Sequence, residues 1–252
     1  MEKVIKVQDL TIGYGTLTVL DKVNFHVEKS EIFGILGGSG CGKSTLLKHL
    51  TGLYLPFEGD VQIFGQSIIN CEDDERRTLM RKFGVTYQGG ALFGSMTVAE
   101  NIALPLQEFT DKSAEEIKQI IKEKLAMVDL EGCGPMMPSE LSGGMRKRAG
   151  LARAMALNPS LLFFDEPSAG LDPITSAELD RLIKRLRDDL GTTIVIVTHE
   201  LDSVFSVTDR VIMLDKNIKG IAADGSAQNL RDSSENSWVR EFLSRAGMKF
   251  TN

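Results

Sequence analysis

The sequence predicts an α/β protein with a largely parallel sheet, a smaller antiparallel sheet beside it and an inserted helical segment. Two patterns carry that prediction. Apolar runs at residues 32–36, 161–165, 194–198 and 211–214 are too short for helices and read as buried strands. Two of them end on a polar residue able to do chemistry. Elsewhere the period is two: Val23, Phe25 and Val27 alternate with polar neighbours, as do Val61 and Ile63, which fits half-buried antiparallel strands.

In chain order, the strand at 32–36 leads through a glycine-rich stretch into an apolar helix at 45–53. The span from about 89 to 156 reads mostly helical and forms a candidate lobe of its own. Within it Ile117, Ile120, Ile121, Leu125 and Val128 share one helical face. Thr175-Ser176-Ala177-Glu178 has the form of a capping box, and Leu179, Leu182, Ile183, Leu186 and Leu190 line one stripe behind it. Both stripes are expected to pack in the core. Residues 1–225 then make one domain, and 226–252 a tail too short for a regulatory domain. In that tail Trp238, Val239, Phe242 and Leu243 form a short amphipathic stripe, which pattern alone docks on its own chain.

Composition narrows the function classes. The chain has 252 residues, 42% of them hydrophobic and 25% charged, so disorder is excluded. A net charge of −6 gives no basic footprint, and no nucleic-acid partner is expected. No run approaches the ~18 apolar residues that span a bilayer. Residues 1–6 lack the apolar core of a secretory leader, and Cys41, Cys71 and Cys133 show no paired spacing. A reducing, cytosolic setting is expected, with any membrane role supplied by a partner.

Chemistry concentrates in three places. Gly37-Gly38-Ser39-Gly40-Cys41-Gly42-Lys43-Ser44 fits the phosphate-loop pattern, between a strand and a helix as the chemistry requires. Glycines let consecutive N–H groups approach phosphate oxygens, Lys43 would reach the β- and γ-phosphates, and Ser44 would offer its hydroxyl to Mg²⁺. Asp165 and Glu166 end an apolar strand, the edge where open α/β sheets bind ligands. Asp165 would hold the metal and Glu166 would orient or deprotonate the attacking water; a helix cap is the competing reading. Leu141-Ser142-Gly143-Gly144-Met145 opens a basic helix (Arg146, Lys147, Arg148, Arg153), a second anion site that one nucleotide hardly needs. The economical explanation is that it serves the γ-phosphate held by another copy of the chain. For Arg146 to Arg148 a solvated helix face is the alternative.

These motifs, in this order and spacing, make the chain resemble the nucleotide-binding subunit of ABC transporters over roughly residues 3–225. The resemblance implies a P-loop NTPase (RecA-like) core with an antiparallel β subdomain and an inserted helical subdomain. It also implies an ATPase with ATP and Mg²⁺ as cofactors, working as a homodimer that sandwiches two ATPs. Residue by residue, Gln88 resembles the Q-loop glutamine and would complete the Mg²⁺ and water shell with Ser44 and Asp165. His199 resembles the H-loop histidine on the γ-phosphate. Ser168-Ala169-Gly170-Leu171-Asp172 resembles the D-loop, with Asp172 crossing the dimer. Tyr14 lies where the family stacks an aromatic on adenine, and Thr45 completes the ATP-binding loop. Ser142, Gly143, Gly144 and Met145 would meet the partner's ATP. The family usually has Gln after the signature glycines; Met145 cannot supply that amide's hydrogen bonds.

Finer likeness comes from the stretch that opens Gln88-Gly89-Gly90-Ala91-Leu92-Phe93 and runs through Thr97-Val98-Ala99-Glu100-Asn101, and from residues 137–145. Both resemble the ATPases that work with Mce proteins, including Mla-type systems (maintenance of lipid asymmetry), where Met at the signature's fifth position is usual. That resemblance implies a peripheral subunit on the cytoplasmic side of the bacterial inner membrane, with an MlaE-like permease and an Mce-domain protein as partners. Phospholipid would be moved without binding this chain directly, and the tail would grip the partner ATPase. The alternatives are a polar-solute importer and, from another class, a soluble ABC ATPase of repair or translation. A GTPase is excluded by the missing Asn-Lys-x-Asp signal.

Overall fold

The computed structural model describes residues 2–244. From the N-terminus the elements are β1 (Lys3–Tyr14), β2 (Leu17–Glu28), β3 (Ile32–Gly37), α1 (Lys43–Leu50), β4 (Glu58–Ile63), β5 (Gln66–Ser67) and α2 (Asp73–Met80). There follow β6 (Phe83–Thr86), α3 (Val98–Phe109), α4 (Ala114–Met127), α5 (Gly143–Ala154), β7 (Leu161–Asp165) and α6 (Pro173–Leu190). The chain continues through β8 (Thr193–Val197), α7 (Leu201–Val207), β9 (Arg210–Asp215), β10 (Gly220–Gly225), α8 (Ala227–Ser233) and α9 (Ser237–Ser244).

Six strands form the main sheet in the order β10-β9-β3-β8-β7-β6. All neighbours are parallel except the edge strand β10, which runs antiparallel to β9. The four apolar runs read from the sequence are β3, β7, β8 and β9. Period two now sorts their residues by face. Phe33, Ile35, Phe163, Val195, Val197, Ile212 and Leu214 point into a core shared with the antiparallel sheet, ordered β2-β1-β4-β5, and with α1. Ile32, Leu162, Phe164, Ile194 and Ile196 point the other way, into a core built with α3, α4, α5 and α6. A third cluster joins Leu36, Val211 and Met213 to Val204 of α7 and to Ala227, Val239 and Leu243 of the C-terminal helices.

The structure corrects several boundaries. The helix after the phosphate loop is Lys43–Leu50, starting two residues earlier than expected and ending three sooner, because Gly52 turns the chain at φ +68°. Residues 175–178 are not a capping box. Asp172 caps α6, accepting from the backbone N–H of Ile174 and Thr175 at 3.0 Å each, and Pro173 fits the first turn because it has no N–H to lose. Glu178 instead pairs with Arg148 at 2.8 Å. Leu190, at the end of the stripe, is exposed where the helix stops at Gly191. Val239 and Leu243 are fully buried in their own chain, as their pattern alone indicates, while Trp238 and Phe242 are half-buried.

Candidate nucleotide site

Because β3, β8, β7 and β6 run parallel, the segments leaving their C-terminal ends gather along one edge. These are the phosphate loop after β3, Thr198 and His199 after β8, Asp165 at the end of β7 with Glu166 just beyond it, and Gln88 after β6. Sequence separations of more than 100 residues collapse to hydrogen-bond distance there.

Two of the loop's glycines leave little room for a side chain. A Cβ on Gly37 would lie 2.5 Å from Cys41 Sγ and from the Leu214 carbonyl, and one on Gly42, at φ +102°, would lie 2.6 Å from Val19. Cys41 is buried against this turn, and burial pushes its thiol up from the ordinary range. Gly42 is also the N-cap of α1, which has no side-chain cap and no acid in its first turn, so the helix presents free N–H groups to an anion. Lys43 Nζ lies back over the loop, donating to the Gly37 carbonyl at 2.9 Å and the Gly38 carbonyl at 3.2 Å. Tyr14 at the end of β1 shares a hydrogen bond of 3.0 Å between its hydroxyl and Thr45 Oγ1.

Ser44 Oγ donates to Asp165 Oδ1 at 3.3 Å. Burial, then the neighbouring Glu166 charge, raises the Asp165 carboxyl above its usual range, the situation a divalent cation would relieve. A hydroxyl and a carboxylate are hard oxygen donors, and the exposed Gln88 follows β6, the strand next to β7. They fit Mg²⁺ held partly by phosphate and water, and do not make a protein-only cage. Among the described residues no group of three or more His, Cys, Asp or Glu could hold a metal by itself.

Glu166 stands at φ +50°, with its N–H held by the Val197 carbonyl at 2.8 Å. Its Oε1 lies 2.7 Å from His199 Nδ1, and its Oε2 accepts from the Thr198 hydroxyl at 3.2 Å. A carboxylate fixed on both oxygens beside an exposed imidazole is arranged to orient water and take its proton. Thr198, which the sequence marks only as a polar residue ending an apolar run, joins the site through this bond.

The basic side chains of α5 are not a solvated face. Arg146 donates to the Leu141 carbonyl at 2.7 Å, and Lys147 Nζ to the Ala169 carbonyl at 2.5 Å and the Glu166 carbonyl at 3.5 Å. Arg148 bridges Asp129 and Glu178, and Arg153 holds the Gly90 and Ala91 carbonyls. One helix therefore pins the signature turn, the segment after Glu166 and the segment after Gln88. Ser142 caps it, accepting from Met145 N–H at 3.2 Å. Ser142, Gly144 and Met145 line a cavity of about 770 Å³ with Arg148, Thr175 and Glu178, whose described walls include no phosphate-loop residue.

With this geometry in place, the ABC transporter family profile matches residues 20–169. The chain belongs to that family, as an ABC-type ATPase domain. It is 43% identical over 239 residues to the probable ribonucleotide transport ATP-binding protein mkl of Mycobacterium bovis, covering 95% of this chain and 66% of that protein. It therefore spans about two thirds of the length of that relative. It is 39% identical over 235 residues to the intermembrane phospholipid transport system ATP-binding protein MlaF of Haemophilus influenzae, covering 93% of this chain and 88% of MlaF. Among solved structures, the ATP-binding cassette MJ0796, dimeric and bound to ADP and Pi, matches with a TM-score of 0.80 at 32% identity, over 88% of this chain and 98% of that one. The cassette cbiO1 of Clostridium perfringens, part of a cbiONQ transporter complex, matches with a TM-score of 0.83 at 26% identity, over 97% of each.

Proposed function

We propose that this chain binds and hydrolyses ATP as one half of a homodimer and powers phospholipid movement between membranes of the bacterial envelope. In this reading it sits on the cytoplasmic side of the inner membrane with an MlaE-like permease and an Mce-domain protein, and touches no lipid itself. The observation that carries it is 39% identity to MlaF across 88% of MlaF; the half-buried Met145 at the signature's fifth position agrees with it.

The residues divide the work. Gly37 to Gly42, with Ser39, Gly40 and Cys41, wrap the phosphates with backbone N–H groups, and Lys43 turns its ammonium from the loop carbonyls onto them. Ser44, Asp165 and Gln88 would hold Mg²⁺, which neutralises phosphate charge when bound. Glu166 takes the proton of the attacking water. Thr198 and His199 fix its carboxylate, and the exposed His199 ring would exchange Glu200, 3.6 Å from its Nε2, for the γ-phosphate. Ser142 and the free N–H groups of Gly143 and Gly144 face a nucleotide held by the second copy, with Asp172 at the junction.

Glu166→Gln tests the assignment. ATP binding should persist while hydrolysis falls roughly 10²–10⁴-fold, the worth of a positioned base, and ATP should trap the dimer on a sizing column. Turnover at the wild-type rate would remove Glu166 from the mechanism. Ribonucleotide transport is the second reading, favoured by the name of the mycobacterial relative. ATPase stimulation in the reconstituted complex by phospholipid separates it from stimulation by ribonucleotide.

A further inference from the structure

The base end of the site contains an aromatic that no nucleotide motif includes. After α1, Gly52 reverses the chain at φ +68°, a conformation that favours glycine, and a Cβ there would crowd the Ile68 side chain at 2.9 Å. The backbone N–H groups of Leu53 and Tyr54 then fold back onto the Lys48 carbonyl, at 2.8 and 3.2 Å. This returns the Tyr54 ring along the helix toward Tyr14. The two rings meet edge to face, 6.1 Å between centroids at 83°. Tyr54 also meets the buried His49 ring at 5.9 Å and 67°, and the Lys48 ammonium lies 5.4 Å from its centroid. His49 Nδ1 donates to the Thr45 carbonyl at 2.7 Å, and Thr45 Oγ1 meets the Tyr14 hydroxyl.

The contacts close a circuit: Thr45, Tyr14, Tyr54, His49 and back to Thr45. Tyr14 is 46% exposed, as a stacking platform must be, and its own strand ends there. A ring with two free torsions would otherwise sample several poses and pay entropy when a base lands on it. An edge contact on one side and a hydroxyl bond at the tip leave it one pose, referenced to the first turn of the phosphate-loop helix. We propose that Tyr54 is a positioning residue for the nucleotide base, holding the Tyr14 ring at a fixed place relative to the phosphate loop. This rests on the reading of Tyr14 as the aromatic that stacks on adenine.

The test compares ATP with inorganic tripolyphosphate, which has the phosphates and no base, by titration calorimetry on the full chain. Tyr54 is 42% exposed, so its truncation should leave the melting temperature unchanged. Tyr54→Ala should weaken ATP about 3- to 10-fold, the worth of an oriented aromatic pair, and leave tripolyphosphate affinity as it was. Tyr54→Phe, which keeps the ring, should restore ATP affinity. Equal losses for both ligands would mean that Tyr54 only supports α1, and no loss for either would remove it from the site; both results overturn the proposal. Tyr14→Ala separates the two layers. If it leaves ATP affinity unchanged, the stacking reading itself fails and this proposal with it. If it weakens ATP while Tyr54→Ala does not, Tyr54 alone is displaced.

Discussion

Asp165 and Glu166 are adjacent carboxylates at the end of one strand, and the chain bears a cost to keep them there. Glu166 takes a left-handed backbone conformation that costs a non-glycine residue on the order of 1 kcal/mol. Asp165 is held above the ordinary carboxylate range by burial and, second, by the Glu166 charge. A folded-state pKa above the unfolded one means that the folded chain binds the proton more tightly. The corresponding stability is full below the ordinary carboxylate range and is lost as pH rises through the folded value. At neutral pH the Asp165 charge therefore weighs against the fold, and is kept for the cation it would bind. Asp165→Asn retains an acceptor for Ser44 and removes that charge. It should raise the melting temperature at neutral pH by about 2–5 °C and flatten its fall with pH above the ordinary carboxylate range. ATP turnover should drop about 100-fold or more. A lower melting temperature at neutral pH would contradict this account.

Among the elements, those with a clean period were legible and those with interrupted periods were not. The apolar runs that became β3, β7, β8 and β9 are buried on both faces, so they needed no alternation. β1 went unread although it is one of the two longest strands, because Asp9 at φ +44° and register shifts after Val7 and Leu10 break its alternation. α2 is almost wholly polar, with only Leu79 buried, and its capping glutamates carry no apolar stripe to announce a helix. On α5, sequence gave the charges but not their targets, since the carbonyls that Arg146, Lys147 and Arg153 hold are placed only by the tertiary fold. The tail's stripe was visible, and the structure divides it. Val239 and Leu243 pack beside Leu36, the residue before the phosphate loop, while Trp238 and Phe242 stay half-buried with rings 5.6 Å apart. Deleting residues from 233 onward should therefore lower the melting temperature by roughly 5–15 °C, from two lost apolar burials. Trp238→Ser with Phe242→Ser, half-buried against the same cluster, should lower the melting temperature by less than the deletion does and weaken subunit pairing, read by sedimentation of the ATP-loaded chain. Pairing at wild-type strength in the double variant would leave the tail with only its intramolecular role.

At the scale of the molecule, the parallel sheet explains why so much of the site could be read from motifs. Once the strands are known to be parallel, everything after their C-terminal ends is at one edge, whatever the sequence separation. What motifs could not place is the outward surface. The segment after Gln88 holds Ala91, Leu92, Phe93 and Met96, an apolar cluster that a plain turn does not require and whose sequence fits either a partner surface or the helical core. The structure splits them: Leu92 packs into the core with α3 to α6, and Phe93 is 51% exposed. The loop carrying Phe93 is rigidly held. Asn101, fully buried, accepts from Phe93 N–H at 2.8 Å and donates to the Phe93, Met96 and Thr97 carbonyls. Arg153 binds the Ala91 carbonyl and sets its guanidinium 5.8 Å from the Phe93 ring. An aromatic displayed on a fixed loop, one helix away from Lys147 and Glu166, is suited to be an anchor that a membrane subunit grips and senses nucleotide through. Among the described residues no helix is long and apolar enough to cross a membrane. Phe93→Asp should leave the isolated chain folded, with ATP affinity within about twofold of wild type. Co-purification with the permease should fall by about tenfold or more, because an unpaired charge would be buried in an apolar contact. Retained assembly would exclude this surface, and an unfolded variant would show that the ring supports the loop from outside.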